Sequence, residues 1–273
     1  MKLSTHNKNV FFRCILLSLI ICCEIYPQEA KDPFPKVASA YLVKVGSKTL
    51  WAHNPNRRLP PASLTKIMTA LITLEKVKLD EIVTVSRKAA KETGTVIGLK
   101  AGDKMKVSDL LAACLIQSAN DASYALAEYV GGSKARFVAV MNTRAKEMCL
   151  ANTHWTNPCG HDEKNHYSTA NNLAILAETA LKNPTFAYLV SFTRARIHTL
   201  DGRRSFAIEN KNELIGRYPG AIGVKSGWTN KAGKCVIALA ERDETKVLLV
   251  LLNAPNRWWD AEAMLDKAFS LKP

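Results

Sequence analysis

Two adjacent prolines, Pro60 and Pro61, stand directly before a long apolar run with helical spacing. Neither can continue a helix backwards, so together they fix where it begins. The stretch Leu59-Pro60-Pro61-Ala62-Ser63-Leu64-Thr65-Lys66 predicts a loop that enters a helix at or just before Ser63. Beyond it, Leu64, Ile67, Met68, Leu71, Ile72 and Leu74 cover most of the circumference. A helix that apolar belongs in the middle of a domain. Ser63 is then expected at the positive end of a buried helix, with Lys66 one turn on and on the same face.

A serine hydroxyl is a poor nucleophile until a base takes its proton. A lysine can be that base only if desolvation or a neighbouring cation lowers its pKa. An S-x-x-K pair alone also fits a surface lysine beside a capping serine. Two further matches decide between these readings. Ser118-Ala119-Asn120 follows Ser63 by 55 residues, and Lys225-Ser226-Gly227 follows Ser118 by 107. S-x-x-K, S-x-N and K-[ST]-G each occur once, in the order found in serine β-lactamases and penicillin-binding proteins.

The 273 residues, 47% hydrophobic and 23% charged, can bury a substantial core and suit one catalytic unit in two lobes. The first thirty residues are set apart. Lys2, Lys8 and Arg13 precede a short apolar run, Cys14 to Cys23, as in a Sec-type export signal. That run is too short to span a bilayer comfortably. Tyr26-Pro27-Gln28-Glu29-Ala30 is not a clean cleavage site, so an N-terminal anchor is the alternative. The expected organisation is thus a leader at 1–30 and a catalytic domain at 31–273, without a C-terminal β domain.

The net charge is +14, and setting the leader aside leaves +13, which favours an anionic partner. No finger, RNP or basic-region signature is present, so no nucleic acid is expected. An anionic membrane surface, a wall polymer or a carboxylate substrate fits better. Beyond the leader, Cys114, Cys149, Cys159 and Cys235 are widely spaced, with no C-x-x-C. Export would permit a disulfide among them. Cys114 and Cys235 sit in apolar runs and are expected as buried thiols. Cys159, His161 and His166 fit no standard zinc spacing, so no metal is expected.

Along the chain, Ser39 to Ala52 predicts a β-hairpin and Glu81 to Val85 a short strand. Thr93 to Gly102 predicts a loop that lacks the G-K-[ST] ending of a phosphate cradle. Helices are expected over Val107 to Gln117, from an Asp121 cap to Val130, over Ser133 to Leu150, and from Ser168 or Thr169 to Leu181, ended by Asn183-Pro184. From Phe192 the pattern turns β, and Arg257 to Leu271 forms a closing helix whose Trp258 and Trp259 are expected in the core. Strands at both ends with helices between imply an α+β fold. Its expected form is an antiparallel β-sheet flanked by helices, with an inserted all-helical lobe and the Ser63 helix where the lobes meet.

From about Pro35 to Ser270 the chain resembles the low-molecular-mass penicillin-binding proteins that act as D-alanyl-D-alanine carboxypeptidases. The resemblance extends beyond the trio to Gly98-Leu99-Lys100-Ala101-Gly102-Asp103, Asn157-Pro158-Cys159-Gly160, His166-Tyr167-Ser168-Thr169-Ala170 and Tyr218-Pro219-Gly220. It implies the DD-peptidase fold, no cofactor, and a peptidoglycan stem pentapeptide as substrate, with β-lactams as covalent inhibitors. It further implies that Ser63 is acylated, Lys66 takes its proton, Ser118 relays a proton to the leaving amine and Asn120 holds the substrate backbone. Lys225 and Ser226 would receive the terminal carboxylate, and Lys225 would lower the Lys66 pKa by repulsion. Gly227 would let the substrate lie close, and the amides of Ser63 and Trp228 would form an oxyanion hole. An exported enzyme, periplasmic or on the outer face of the inner membrane, is expected. Ser226 stands where threonine is commoner, keeping the hydroxyl.

The same residues serve a D,D-endopeptidase. A serine β-lactamase would need a deacylating glutamate–asparagine pair. Glu209-Asn210-Lys211-Asn212 has the form but sits beside a strand only thirteen residues before Lys225, so it is expected to be structural. A silent wall-binding or drug-sensing domain would have no use for Lys66 beside Ser63.

Overall fold

The computed structural model describes residues 32–271. The leader therefore lies outside the described residues. Strand β1 (Ala40–Val45) and β2 (Lys48–His53) form the predicted N-terminal hairpin. Strands β7 (Ala221–Thr229), β8 (Gly233–Arg242) and β9 (Thr245–Leu252) come from the other end of the chain. They join in one antiparallel sheet of order β2-β1-β9-β8-β7, so β7 is an edge strand. The α+β architecture is thus as expected.

The sheet is covered on both faces. Tyr41, Val43, Val236, Ala238, Leu249 and Leu251 point one way, onto Ala261, Met264, Leu265 and Phe269 of the closing helix α7 (Arg257–Ser270). Ala40, Leu42, Ile237, Leu239, Leu248 and Val250 point the other way, into the core of the helical region. This alternation follows from the two-residue period of a strand. It also explains why β8 from Cys235 to Ala240 and β9 from Val247 to Leu252 are continuously apolar, since neither face meets water there.

The helical region comprises α1 (Lys66–Lys76), α2 (Val107–Ala112), α3 (Asn120–Gly131), α4 (Lys134–Glu147), α5 (Ala170–Leu181) and α6 (Pro184–Ser191). Helix α1 is entered through a 3-10 turn, Ala62–Thr65, with Pro61 as its cap. Its residues from Lys66 to Thr73 are all buried. Ser133 caps α4 and Thr169 caps α5 through their side chains, as their sequence positions suggest.

Several expectations need correction. Asn183-Pro184 ends α5 but also starts α6: the Asn183 side chain accepts from the amides of Thr185 and Phe186, and proline suits the first turn. Asp121 is not a helix cap. The residue before α3 is Ala119, and the Asp121 carboxylate instead accepts amides from Ile97, Gly98 and Leu99. Strand β3 (Ile82–Thr84) falls within the expected Glu81 to Val85 strand, but its partner β4 (Lys104–Lys106) is too short to show a pattern in sequence. Strands β5 (Arg194–His198) and β6 (Ser205–Glu209) form a separate ribbon. Trp258 is partly buried under the Arg257 guanidinium, but Trp259 is 79% exposed. The helix turns successive residues through about 100°, so two neighbouring tryptophans cannot share one core-facing stripe. Cys114, Cys159 and Cys235 are buried thiols, Cys149 is exposed, and all four are free.

Candidate active site

The turn that carries Ser63 is held by contacts from distant parts of the chain. Leu59 exchanges both backbone hydrogen bonds with Ser168, fixing the proline loop. Ala62, just before Ser63, takes the left-handed conformation at φ 49°, uncommon and costly for a residue with a Cβ. A hydrogen-bond chain secures it. The Thr156 amide donates to His166 Nδ1 (3.0 Å), which leaves Nε2 to donate to Thr65 Oγ1 (2.8 Å). Thr65 in turn donates to the Ala62 carbonyl (2.8 Å). Burial holds the His166 pKa down at about 4, so the ring stays neutral and keeps these roles at ordinary pH. His166 therefore belongs to the support of Ser63.

Lys66 is completely buried. Its Nζ lies 3.0 Å from Ser63 Oγ, 2.7 Å from Asn120 Oδ1 and 2.6 Å from the Cys159 carbonyl. Three acceptors satisfy an ammonium. In the neutral amine, two N–H groups can stay on Asn120 and Cys159, which turns the lone pair toward Ser63 Oγ. Burial is the main influence on the Lys66 pKa and lowers it, while Cys159, Cys114, Glu92 and Asp121 pull it back up. The expected repulsion from Lys225 is not the cause. It acts on the other partner: Lys225 is pushed well below the usual lysine range, first by burial and then by Lys66.

Asn120 is placed by its backbone as well as its side chain. Its amide donates to the Thr95 carbonyl (2.7 Å) and its Nδ2 to the Thr93 carbonyl (2.6 Å). That orients Oδ1 toward Lys66. Ser118, two residues earlier, ends a π-helical turn (Ala113–Gln117) and is itself left-handed at φ 64°. It is 5% exposed.

The third motif lies on β7. Gly227 passes so close to Ser63 that a Cβ there would stand 2.7 Å from the Ser63 amide nitrogen. Arg257 anchors this point from α7, donating to the carbonyls of Gly227 (2.7 Å) and Cys235 (3.3 Å). Lys225 is buried, with Nζ donating to the Ser226 carbonyl (2.9 Å). Ser226 donates its hydroxyl to the Lys211 carbonyl (2.6 Å), so it must rotate before it can donate to a carboxylate. Trp228, next along, is 60% exposed at the rim. Beyond it, Thr229 Oγ1 and the Lys231 amide donate to the carboxylate of Asp162 (2.6 and 3.0 Å), tying the 151–167 loop to the end of β7.

Lys66 thus touches both Ser63 and Asn120, and β7 runs alongside through Gly227. The Glu209–Asn212 segment does structural work: Asn210 donates to the Phe192 carbonyl and Asn212 to the Gly223 carbonyl. The roles of the Cys159 carbonyl, the His166 chain and Arg257 were not legible in the sequence. A backbone acceptor has no residue signature, and His166 stood out in the sequence only as part of a family-like stretch and of a histidine–cysteine group with no zinc spacing.

A Ser–Lys pair at the root of a buried helix, facing the edge of an antiparallel sheet, is the arrangement of the serine DD-peptidases. The chain superposes on a Streptomyces DD-transpeptidase with a TM-score of 0.81 and 30% identity, covering 89% of this chain and 100% of that one. The model of the D-alanyl-D-alanine carboxypeptidase family matches residues 29–256, and the chain belongs to that family. It is 40% identical to the D-alanyl-D-alanine carboxypeptidase DacF of Bacillus subtilis over 82% of this chain, and spans 59% of that protein. It is 32% identical to the carboxypeptidase DacB2 of Mycobacterium tuberculosis over 83% of this chain and 79% of that one.

Proposed function

We propose that the chain is a serine D-alanyl-D-alanine carboxypeptidase that removes the terminal D-alanine from peptidoglycan stem pentapeptides. The observation that carries this reading is the 3.0 Å contact between Ser63 Oγ and the buried Lys66 Nζ, whose other bonds go to Asn120 and Cys159. Neutral Lys66 takes the Ser63 proton as Oγ attacks the carbonyl of the D-Ala–D-Ala bond. The amides of Ser63 and Trp228 receive the developing oxyanion. The proton passes by way of Ser118 to the leaving amine, and D-alanine departs.

Strand β7 is an edge, so the peptide can add to it as a further strand. Gly227 admits the close approach, Asn120 holds the peptide backbone, and Lys225 with a rotated Ser226 receives the terminal carboxylate. Water then attacks the acyl-enzyme and regenerates Ser63. β-Lactams enter the same route and stop at the acyl-enzyme. The basic charge suits an anionic wall or membrane surface. We place the enzyme outside the cytoplasm, which the basic, apolar leader supports. Among the described residues no helix is long and apolar enough to cross a membrane.

The test is D-alanine release from a pentapeptide ending in D-Ala–D-Ala, by the chain and its Ser63→Ala variant. Release by the first alone supports both reaction and nucleophile. If neither releases D-alanine, the reading fails, and crosslinked dimer peptides and penicillin turnover become the substrates to try. A binding domain would keep its affinity in Ser63→Ala and show no covalent penicillin labelling in either protein.

A further inference from the structure

The 151–167 loop carries a group of side chains that acylation does not use. Cys159 Sγ, His161 Nε2 and a carboxylate oxygen of Glu92 all lie within 4.8 Å of one another. His161 Nε2 is 2.8 Å from Glu92 Oε2. The Cys159 thiol donates at 3.5 Å to the Asn120 carbonyl, a weak bond for a buried group. His166, which the sequence would group with these two, is occupied elsewhere between Thr65 and Thr156. Glu92, 67 residues earlier in the chain than Cys159, takes its place.

The loop holds this group rigidly. The Asn157 side-chain oxygen accepts three successive amides, from Cys159 (3.1 Å), Gly160 (2.7 Å) and His161 (3.0 Å). Gly160 lies between the two ligand-bearing residues at φ 92°, against the Ala62 carbonyl, where no side chain fits. The backbone that presents Cys159 and His161 is thus fixed by the same contacts that fix the nucleophile's turn. Such preorganisation is what a metal site needs from its scaffold.

We propose that Glu92, Cys159 and His161 form a site for one divalent zinc-class ion beside the active-site lysine. One sulfur, one imidazole nitrogen and one carboxylate oxygen suit a borderline-soft tetrahedral ion, with water as its fourth ligand. Bonds of roughly 2.0–2.3 Å set ligand atoms roughly 3.3–3.7 Å apart around such an ion. The His161–Glu92 hydrogen bond opens slightly and the sulfur closes in, both by side-chain rotation. Binding replaces the thiol proton with the metal and releases that proton to solvent, while the neutral His161 ring moves its proton from Nε2 to Nδ1 so that Nε2 can ligate. His161 and Glu92 are partly exposed, which gives the ion a way in. The Cys159 carbonyl is a hydrogen-bond acceptor of Lys66, so an ion on this residue lies one peptide unit from the proposed base.

The test is titration of the full chain with Co²⁺ alone, followed by absorption. A site of this kind gives one equivalent with intense tetrahedral visible bands and a near-ultraviolet thiolate-to-cobalt band, both bleached by Zn²⁺. Cys159→Ser should abolish the thiolate band, whereas Cys149→Ser, at the exposed cysteine, should leave it unchanged. His161→Ala and Glu92→Gln keep the thiol and should weaken binding by more than the roughly tenfold lost with an outer hydrogen-bond partner. Covalent penicillin labelling reports independently whether each variant is folded. No thiolate band in the parent, a band that survives Cys159→Ser, or unchanged affinity in both His161→Ala and Glu92→Gln would overturn the proposal. The trio would then be a histidine–carboxylate hydrogen bond beside a buried thiol.

Discussion

Gly160 lies so close to Ala62 that a Cβ on the glycine would stand 1.9 Å from the Ala62 carbonyl oxygen and 2.9 Å from the Ser63 nitrogen. The loop after α4 and the turn that carries the nucleophile are therefore one packed unit. Gly160→Ala meets both a backbone collision and a left-handed φ of 92°. It should cost on the order of 2 kcal/mol or more in stability and lower penicillin acylation further, measured by denaturant unfolding and by labelling rate. Unchanged labelling would show that the turn tolerates the shift.

The bonding of Lys66 makes acylation pH-dependent in a definite direction. Its folded pKa is lowered by burial, so the neutral base is present at lower pH than for an exposed lysine. The acylation rate should rise with pH through that lowered pKa and then level off. Lys66→Arg keeps a cation that cannot act as a base, and should reduce acylation by roughly 10²–10⁴-fold at every pH. A variant that kept a normal rate would remove Lys66 from the proton path.

His166 supplies a stability signature. Its folded pKa is about 4 against an ordinary 6.5, so between these values the unfolded chain binds the extra proton. Stability should therefore fall as pH drops from about 6.5 to about 4, by about 3 kcal/mol from this residue, and show no such component above 6.5. His166→Gln can still accept from Thr156 and donate to Thr65 without titrating. Subtracting its stability–pH curve from the parent's should isolate that loss. A flat difference between pH 4 and 6.5 would argue against a buried neutral imidazole.

Asp121 holds the loop that positions Asn120. Its carboxylate accepts from the amides of Gly98 and Leu99, each at 2.9 Å, and of Ile97 at 3.2 Å. Asp121→Ala leaves these donors without their acceptor and should cost about 3 kcal/mol or more. Asp121→Asn retains one acceptor oxygen and should cost roughly half as much. Thermal unfolding of the pair would check the order. Equal losses would mean that the charge matters more than the number of acceptors.

The parts of the site that sequence revealed are those set by spacing along one element. Ser63 and Lys66 are three residues apart on one helical turn, so their contact follows from helix geometry alone. The covered sheet was legible because Cys235 to Ala240 and Val247 to Leu252 are apolar without interruption. Asn120 meets Lys66 across 54 residues, and only the family motif pointed to it. The Cys159 carbonyl could not be anticipated, because every residue has a carbonyl and its direction is a tertiary property. Asp121 was misread for a related reason. An aspartate near a helix start serves equally as a cap or as an anchor for a neighbouring loop, and the loop's course decides. Helix α6 was hidden because asparagine followed by proline is both a stop and a start.

The five-residue turn at Ala113–Gln117 carries one residue more than an α-helix needs to cover the same rise. That surplus residue sets the angular phase of everything after it. Deleting any single position in the turn would let α2 continue as a regular helix and swing Ser118 through about 100°. The second motif would survive letter for letter in the sequence yet face away from Lys66. Family members that differ in length at this point should therefore differ in chemistry even where all three motifs match.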